Sequence, residues 1–201
     1  MKKNIIIKAT FSSFFAFYIQ MDKQITCEQT LIEDCKRNRT SAQKRLYDLY
    51  APRMLGVCVR YVGDRDTAHD VLQEGFIKLF TKIGSYTAGS FYAWTRQIFI
   101  NTALEMLRQQ NVLRFATNID DFNEAFEDNN ASAIDKISEK DLMNCITELP
   151  EGYRTVFNLY AIEGYSHAEI GNMLKIEEST SRSQFSKARK LLRKKIEKIY
   201  E

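Results

Sequence analysis

The sequence of 201 residues contains little of what catalytic and metal-binding proteins usually need. Its two histidines, His69 and His167, are too few and too far apart for a histidine-based metal cluster. Its four cysteines form no C-x-x-C pair, and such scattered thiols are typical of reduced, buried cysteines in a cytoplasm. No phosphate-binding loop or activated nucleophile is recognisable. The composition therefore argues against an enzyme and predicts neither a metal nor a cofactor.

Proline is scarce, and so are apolar runs of membrane-spanning length. Two prolines, 44% hydrophobic residues and 27% charged residues are the composition of a helix-rich globular protein. The apolar run in residues 1–20 is too short and too broken to cross a bilayer. It also lacks the small-residue cleavage site of a signal peptide. We interpret it as an upstream extension outside the native protein, with a weak membrane-associating segment as the alternative. We expect a cytoplasmic location.

Charge is distributed unevenly along a chain whose net charge is only +3. From Glu178 to the C-terminus, eight basic side chains stand against three carboxylates. Between Thr117 and Asp141, eight carboxylates stand against two lysines, and there is little apolar periodicity. The basic segment favours backbone phosphates as a partner, although a solvated lysine-rich helix is the alternative. The acidic segment is typical of a flexible, partly disordered linker.

The C-terminal third predicts three helices in the order of a helix-turn-helix. Pro150 marks the first helix, because a first-turn proline loses no hydrogen bond. Ser166 and Glu169 have the spacing of a capping box, which predicts a short second helix over 167–174. A long third helix is predicted over 178–199. The short helix is expected to bury Ala168, Ile170, Met173 and Leu174. In this motif the later helix lies in the DNA major groove.

Apolar periodicity predicts further helices in the first half of the chain. Helical spacing over 30–61 indicates two packed helices, with a break or kink at Pro52. A full i, i+3, i+4 stripe predicts a helix over 67–83, for which Asp66 is the candidate N-cap. The polar face of this helix carries Asp70, Gln73, Glu74 and Lys78. A solvated face and a protein-docking face fit this pattern equally well.

A glycine-bounded loop at 84–90 leads into a long helix, rich in aromatic residues, over 91–112. Aromatic rings beside basic and amide groups suit unstacked single-stranded bases, which lie on rings while phosphates meet arginines. Tyr86 in the loop and the outward polar groups of the helix are therefore contact candidates. A core position is the preferred interpretation for Phe91, Trp94 and Ile98.

These patterns predict an all-α protein of two small helical domains joined by an acidic flexible linker, with the helix-turn-helix in the second domain. We place the boundaries at 1–22 for the N-terminal extension, 23–113 for the first domain, 114–137 for the linker and 138–201 for the second domain. Because the linker is acidic and the last helix is basic, the near-neutral net charge conceals two strongly charged segments.

Three segments resemble the second and fourth regions of bacterial RNA polymerase sigma factors of the extracytoplasmic-function class. They are DTAHDVLQEGFIKLF at 66–80, SFYAWTRQIFINTALEMLR at 90–108 and LPEGYRTVFNLYAIEGYSHAEIGNMLKIEESTSRSQFSKARKLL at 149–192. The resemblance covers about residues 28–199 and rests on both regions in the right order. It implies promoter recognition and transcription initiation without chemistry of the chain's own. The implied partners are core RNA polymerase, promoter DNA and an anti-sigma factor, and no cofactor is implied.

The resemblance also implies roles for particular residues. Docking on the polymerase clamp would fall to Asp70, Gln73 and Glu74. Capture of the melted minus-10 strand would fall to Tyr86, Arg96, Asn101 and Arg108. Reading of the minus-35 element would fall to Arg182, Ser183, Phe185, Ser186 and Arg189. The acidic linker would occupy the RNA-exit path of the polymerase.

Two positions depart from the family pattern at the turn before the third helix. The family usually has glycine where Lys175 stands, because this turn favours a left-handed residue. It usually has serine or threonine where Glu177 stands, and a glutamate caps a helix poorly. Ser179 is therefore a candidate N-cap, and that choice would shift the start of the reading helix.

Two other interpretations fit parts of the pattern. A regulator with a receiver or ligand-binding domain in front of a similar helix-turn-helix would need alternating strands and helices, and none are indicated before Leu149. A helical adaptor without DNA binding would lack the steep salt dependence that a basic reading helix confers.

Overall fold

The computed structural model describes residues 27–110 and 138–200, and both parts are α-helical. The first part contains α1 over 27–36, α2 over Thr40–Val62, α3 over Arg65–Lys82 and α4 over Phe91–Gln110. The second part contains α5 over Glu139–Thr147, α6 over Glu151–Phe157, α7 over His167–Leu174 and α8 over Glu178–Tyr200. No strand occurs in these two ranges, which confirms the all-α class. The predicted N-terminal extension and the whole predicted linker at 114–137 lie outside the described residues.

Helices α2, α3 and α4 enclose the core of the first part. The predicted apolar stripe of α3 is buried, and Leu46, Met54 and Phe99 have no exposed side-chain surface. Each such side chain contributes about 1.5–3 kcal/mol when it leaves water. Helices α3 and α4 approach closely at Gly75, where an added Cβ would lie 2.4 Å from the Phe99 ring. A glycine is therefore required at this crossing.

Two local predictions in the first part are wrong. The two helices predicted over 30–61 are α1 and α2, but the break between them is not at Pro52, which lies inside the continuous helix α2; the chain turns at Asn38, whose φ is 57°. Because Pro52 is exposed, water can solvate the carbonyl that loses its helical partner. The cap of α3 is Asp64 rather than Asp66, since the Asp64 carboxylate accepts a hydrogen bond from the Thr67 N–H at 2.8 Å.

The second part places α8 across α5 and α6. A cluster of its own forms where Ala188, Leu192 and Ile196, which are spaced four residues apart on α8, meet Leu149 and Tyr153. Helix α6 continues into a π-helical turn over 158–162. Such a turn widens the helix by one residue and changes which side chains it buries.

Helix α7 has the predicted bounds and the predicted capping box, in which Ser166 and Glu169 each accept from a backbone N–H of the other. The burial pattern differs at one end. Ala168 is exposed, whereas His167 and Gly171 are buried with Ile170 and Leu174. The expectation that Ala168 lies in the core is therefore wrong.

One hydrophobic cluster runs through both described parts. Val156, Leu159, Ile170 and Leu174 of the second part belong to the same buried cluster as the core of α2, α3 and α4. Val156, Leu159 and Ile170 are completely inaccessible to water. Because large apolar side chains are buried at this contact, the two parts pack against each other through an interface that is apolar at its centre.

We expect Ser166→Ala to lower the free energy of unfolding by about 1 kcal/mol, because α7 loses the hydroxyl that caps its first turn. Helix α7 has only eight residues, so its neighbours must supply most of its stability. Urea unfolding followed by circular dichroism measures the change. Ser183→Ala is the control, since that exposed hydroxyl lies inside a helix and caps nothing. Equal effects from the two substitutions would contradict the capping role.

Candidate nucleic-acid interface

The third helix of the helix-turn-helix has one buried face and one polar, exposed face. Ser181, Gln184, Ala188 and Leu192 follow one another at helical spacing on the buried face. Among the predicted minus-35 residues, the exposed ones are Arg182, Ser183, Ser186 and Arg189. The spacing of Arg182, Ser186 and Arg189 places them on one side of the first three turns. The structure therefore brings four of the five predicted residues to the solvent side of α8.

The start of α8 is settled by its backbone. The helix begins at Glu178, and the Glu177 carbonyl accepts the first i to i+4 hydrogen bond, from the Ser181 N–H at 3.1 Å. Glu177 is therefore the N-cap residue, and Ser179 lies within the first turn, so the alternative start at Ser179 is wrong. Arg182 forms an ion pair with Glu178 one turn earlier.

The turn between α7 and α8 is as tight as the family pattern requires. Lys175 adopts the left-handed conformation, with φ at 57° and ψ at 45°, although it is not glycine. Its N–H bonds to the Gly171 carbonyl, and an added Cβ at Gly171 would lie 2.8 Å from the Ile176 carbonyl oxygen. The close approach of the two helices therefore depends on Gly171 rather than on a glycine in the turn.

Phe185 differs from the other predicted minus-35 residues because it is half-buried. Its ring centroid lies 4.5 Å from that of Tyr160 and 6.0 Å from that of Phe157. Tyr160 also stacks on His167 at 4.2 Å, and the His167 ring hydrogen-bonds to the Ser181 hydroxyl at 2.9 Å. Burial lowers the pKa of His167, so the uncharged ring is favoured. This aromatic stack packs α6 and the turn that follows it against the starts of α7 and α8.

The predicted minus-10 residues lie on different sides of α4 and its preceding loop. Tyr86 is half-buried, with its ring centroid 5.0 Å from Phe91 and 5.4 Å from Trp94, and its hydroxyl donates to the Gly89 carbonyl at 2.6 Å. Phe91 is buried, as expected for a core residue, whereas Trp94 and Ile98 are only half-buried. An aromatic surface is thus partly available at this end of α4.

Asn101 and Arg108 share the exposed side of α4. They are seven residues apart, which is about two helical turns. The Asn101 side chain accepts a hydrogen bond from Gln97 at 3.1 Å, and the Arg108 guanidinium donates to the Leu104 carbonyl at 3.2 Å. The amide group of Asn101 and the cationic group of Arg108 can therefore face one ligand together.

Arg96 lies about 140° around the helix from Asn101 and faces the second part of the protein. Its two terminal nitrogens contact the Glu163 carboxylate at 2.6 Å and 2.9 Å. Arg60 of α2 also donates to Glu163, at 2.9 Å. The Glu163 side chain is only 4% exposed, and burial raises its pKa while the two guanidinium groups oppose that rise. Arg96 is thus held between the two parts.

The predicted polymerase-docking residues form one exposed face of α3. Asp70, Gln73 and Glu74 are all exposed, and Ile77 completes their i, i+3, i+4, i+7 pattern with 61% of its surface accessible. A single exposed apolar side chain is common on soluble proteins, so the docking role of this face stays a prediction. The i, i+7 spacing of Asp70 and Ile77 can be read from the sequence, whereas the exposure of Ile77 depends on how α3 packs.

Residues that join the two described parts of the protein were not predicted from the sequence. Arg154 is buried and donates to the carbonyl oxygens of Tyr61 and Val62, at 2.9 Å and 2.8 Å, and to those of Thr147 and Leu149, both at 2.9 Å. The partners in α2 are 92 and 93 residues away in the chain. No local pattern could have revealed them.

The architecture is that of a helical DNA-binding regulator, with a helix-turn-helix whose third helix exposes a basic and polar face. No group of histidine, cysteine, aspartate or glutamate side chains suited to a metal is found within 27–110 and 138–200. Among the helices of those ranges, none is long and apolar enough to cross a bilayer.

Comparison with known proteins identifies the family. Residues 46–112 match the model of Sigma-70 region 2, and residues 139–192 match that of Sigma-70, region 4. The chain is 31% identical over 188 residues to the RNA polymerase sigma-H factor of Pseudomonas aeruginosa, covering 86% of this chain and 95% of that one. It is 32% identical over 147 residues to the ECF RNA polymerase sigma factor SigE of Mycolicibacterium smegmatis, covering 72% of this chain and 57% of that one.

Among solved structures, the chain is similar to the sigma factor RpoE of Bartonella quintana, determined in complex with the anti-sigma factor NepR. The TM-score is 0.45 at 20% identity, and the match covers 77% of this chain and 96% of that one. The protein belongs to the extracytoplasmic-function class of bacterial RNA polymerase sigma factors. It is therefore a promoter-recognising sigma factor that directs transcription initiation.

Proposed function

We propose that α8 reads the minus-35 element through the exposed face that carries Arg182, Ser183, Ser186 and Arg189. The observation that carries this proposal is the separation of that face from the buried side of α8, directly after the capped helix α7. An arginine on such a face can contact a guanine through two hydrogen bonds, which discriminates against other bases by about 1–3 kcal/mol. Phe185 would support the reading helix from beneath and touch DNA only with its exposed edge.

We further propose that the minus-10 strand meets Tyr86, Asn101, Arg108 and Arg96. A base that leaves the duplex loses a few kcal/mol of stacking, and a pocket offers rings and hydrogen-bonding edges in exchange. The aromatic surface around Tyr86 and the amide of Asn101 supply these two kinds of contact. Arg108 would contact phosphate. Arg96 can do so only after it leaves Glu163.

The docking of the protein on core RNA polymerase is assigned to the exposed face of α3. Asp70, Gln73 and Glu74 would meet basic groups of the polymerase, and Ile77 would fill an apolar pocket between them. The proposed polymerase-docking and minus-10 residues all lie in 23–113, and the proposed minus-35 residues lie in 138–201. We therefore propose these two ranges as the domains. A protein that acts only by binding would have no catalytic activity of its own. It would work where the polymerase is, in the cytoplasm, and an anti-sigma factor would be its negative regulator.

Transcription by core polymerase and the full chain on a random promoter library tests the proposal. We expect wild type to select one minus-10 and one minus-35 sequence. Arg189→Ala should relax the minus-35 preference, by about 5- to 150-fold at the contacted base pair, and leave the minus-10 preference unchanged. Asn101→Ala should relax the minus-10 preference and leave the minus-35 preference unchanged. Arg37→Ala is the control, because that exposed arginine pairs with Asp34 of α1 and is assigned to neither DNA-reading face.

The experiment distinguishes failure of the proposed activity from failure of the residue assignments. Absence of promoter-specific transcription with wild type would contradict the activity itself. Unchanged sequence preferences in both variants would leave the activity intact and contradict the residue assignments.

A further inference from the structure

The buried positions at the start of α8 are polar, whereas those of its later turns are apolar. Ala188, Leu192 and Ile196 bury apolar surface in the cluster formed with α5 and α6. Nearer the start of the helix, Ser181 and Gln184 occupy the buried face. A polar group that leaves water needs a hydrogen-bond partner before its burial can favour the fold. The placement of the first turns of α8 therefore depends more on polar contacts than that of its later turns.

The His167 ring provides such a contact from the start of α7. It hydrogen-bonds to the Ser181 hydroxyl at 2.9 Å, and its centroid lies 5.8 Å from that of Phe185, one turn further along α8. The same ring stacks on Tyr160 at 4.2 Å, with an angle of 10° between the two planes. Ser181 is completely buried, and His167 is 8% exposed. The imidazole thus links the π-helical turn over 158–162 to two successive turns of α8.

The residues held by His167 directly precede the residues proposed to read DNA. Ser181 comes before Arg182, and Phe185 comes before Ser186. Neighbouring side chains on a helix are about 100° apart, so a rotation of α8 about its axis would move its buried and exposed faces together. Recognition side chains must be held within about 0.5 Å and 10–20° of the productive geometry. A contact that restricts this rotation therefore bears directly on base recognition.

The surroundings of the ring oppose a positive charge on it. The ring lies in the first turn of α7, at the positive end of the helix dipole. Burial has the largest effect in lowering the pKa of His167, and Arg182 of α8 lowers it further, while Glu178 of α8 opposes the shift. From the π-helical turn, the titratable group that faces the ring is the stacked Tyr160. Since an unfolded histidine has a pKa of about 6.5, this arrangement is fully stable above that pH and loses stability as the pH falls below it.

We propose that His167 is a positioning residue for recognition of the minus-35 element. Its uncharged ring holds the first turns of α8 in the reading orientation through Ser181, and protonation of the ring weakens minus-35 selectivity. This inference rests on the proposed minus-35 role of α8 and adds a dependence on pH to it.

Transcription with two competing promoters at several pH values tests the proposal. One promoter carries the minus-35 sequence that wild type selects, and the other carries a scrambled minus-35 element, so the ratio of the two transcripts measures minus-35 selectivity. The pH dependence of core polymerase cancels in this ratio. Between about pH 8 and about pH 5.5 the wild-type ratio should fall about 2- to 12-fold, which corresponds to the loss of one hydrogen bond. The equivalent ratio for a scrambled minus-10 element should not change.

His167→Asn and His167→Phe separate the hydrogen bond from the aromatic ring. Asparagine places an amide near the position of Nδ1 and does not titrate, so His167→Asn should keep most of the selectivity and lose its pH dependence. Phenylalanine can stack on Tyr160 but cannot bond to Ser181, so His167→Phe should show the lowered ratio at every pH. A merely structural role would lower transcription from both promoters equally and leave the ratio unchanged.

His69→Asn is the matched control, because His69 is exposed on α3 and is the only other histidine in the sequence. This variant should follow wild type at every pH. Circular dichroism at both ends of the pH range checks that the variants remain helical. If His167→Phe does not fold, Ser181→Ala, which removes only the hydroxyl at the other end of the bond, should give the same lowered ratio.

The outcomes distinguish the two parts of the inference from the proposed function. A wild-type ratio that does not change with pH, or a decline that persists in His167→Asn, would overturn the effect of protonation. Wild-type selectivity in both His167→Phe and Ser181→Ala would overturn the positioning role. A wild type without minus-35 selectivity at about pH 8 would contradict the proposed function of α8 itself, and the inference with it.

Discussion

Replacing Arg154 by methionine should lower the free energy of unfolding by about 3 kcal/mol or more. The side chain is 7% exposed and its guanidinium donates to four backbone carbonyls, two in α2 and two at the junction of α5 and α6. Each buried acceptor left without a partner costs about 1–3 kcal/mol. The helix end and the junction would both lose the group that satisfies them.

An opposing effect reduces this loss but does not cancel it. Burial lowers the pKa of Arg154, which reports the penalty of taking a charged group out of water, although Glu151 and Asp64 oppose the shift. Methionine removes that penalty and keeps most of the apolar volume. Charge-assisted hydrogen bonds contribute about 1.5–3 kcal/mol each, so four of them outweigh the desolvation of one cation.

Chemical unfolding followed by circular dichroism measures the effect. Arg182→Met is the matched control, because Arg182 is exposed and makes a surface ion pair within one helix. Such pairs contribute about 0–1 kcal/mol. If Arg154→Met were as mild as Arg182→Met, the four hydrogen bonds could not be holding this part of the fold together.

Gly63→Ala is expected to have the second large effect, lowering the free energy of unfolding by about 2–4 kcal/mol. Gly63 ends α2 with a φ of 90°, a conformation that costs an alanine roughly 1–2 kcal/mol. An added Cβ would also lie 2.7 Å from a terminal nitrogen of Arg154 and 2.8 Å from its central carbon. The methyl group would thus push the guanidinium away from the carbonyls that it binds.

Gly164→Ala separates the two contributions. Gly164 has a φ of 81°, but no atom lies within 4 Å of an added Cβ, so that substitution reports the backbone term alone. The excess loss in Gly63→Ala measures the displacement of Arg154. In an Arg154→Met background, Gly63→Ala should become as mild as Gly164→Ala. Strict additivity of Gly63→Ala and Arg154→Met would contradict contact between the two groups.

Local order along the chain could be predicted because its causes are local. The capping box at Ser166 and Glu169 is a pair of bonds between residues three apart, and it set the bounds of α7 correctly. The apolar stripe of α3 and the basic character of α8 follow from the same periodicity. Errors arose where neighbours in space decided the outcome. Pro52 is tolerated inside α2 because its side of the helix faces water.

The residues of the candidate site show the same difference between features with local causes and features decided by tertiary contacts. For Arg182, Ser186 and Arg189, helical spacing alone was sufficient to predict a common face, and the structure shows that face exposed. Arg96 could not be judged in this way. The sequence presents it as an outward arginine on α4, whereas its partner Glu163 is 67 residues further along the chain.

The sequence by itself therefore determined the helices, their order, the helix-turn-helix and the family, because these depend on spacing, capping and charge within short segments. Only the tertiary structure decided how the two parts meet. That contact depends on Arg154, Glu163 and the end of α2, which are brought together across 92 to 103 residues. A charged residue has the same local pattern whether it faces solvent or a distant carbonyl, so its partner appears only when the chain is folded.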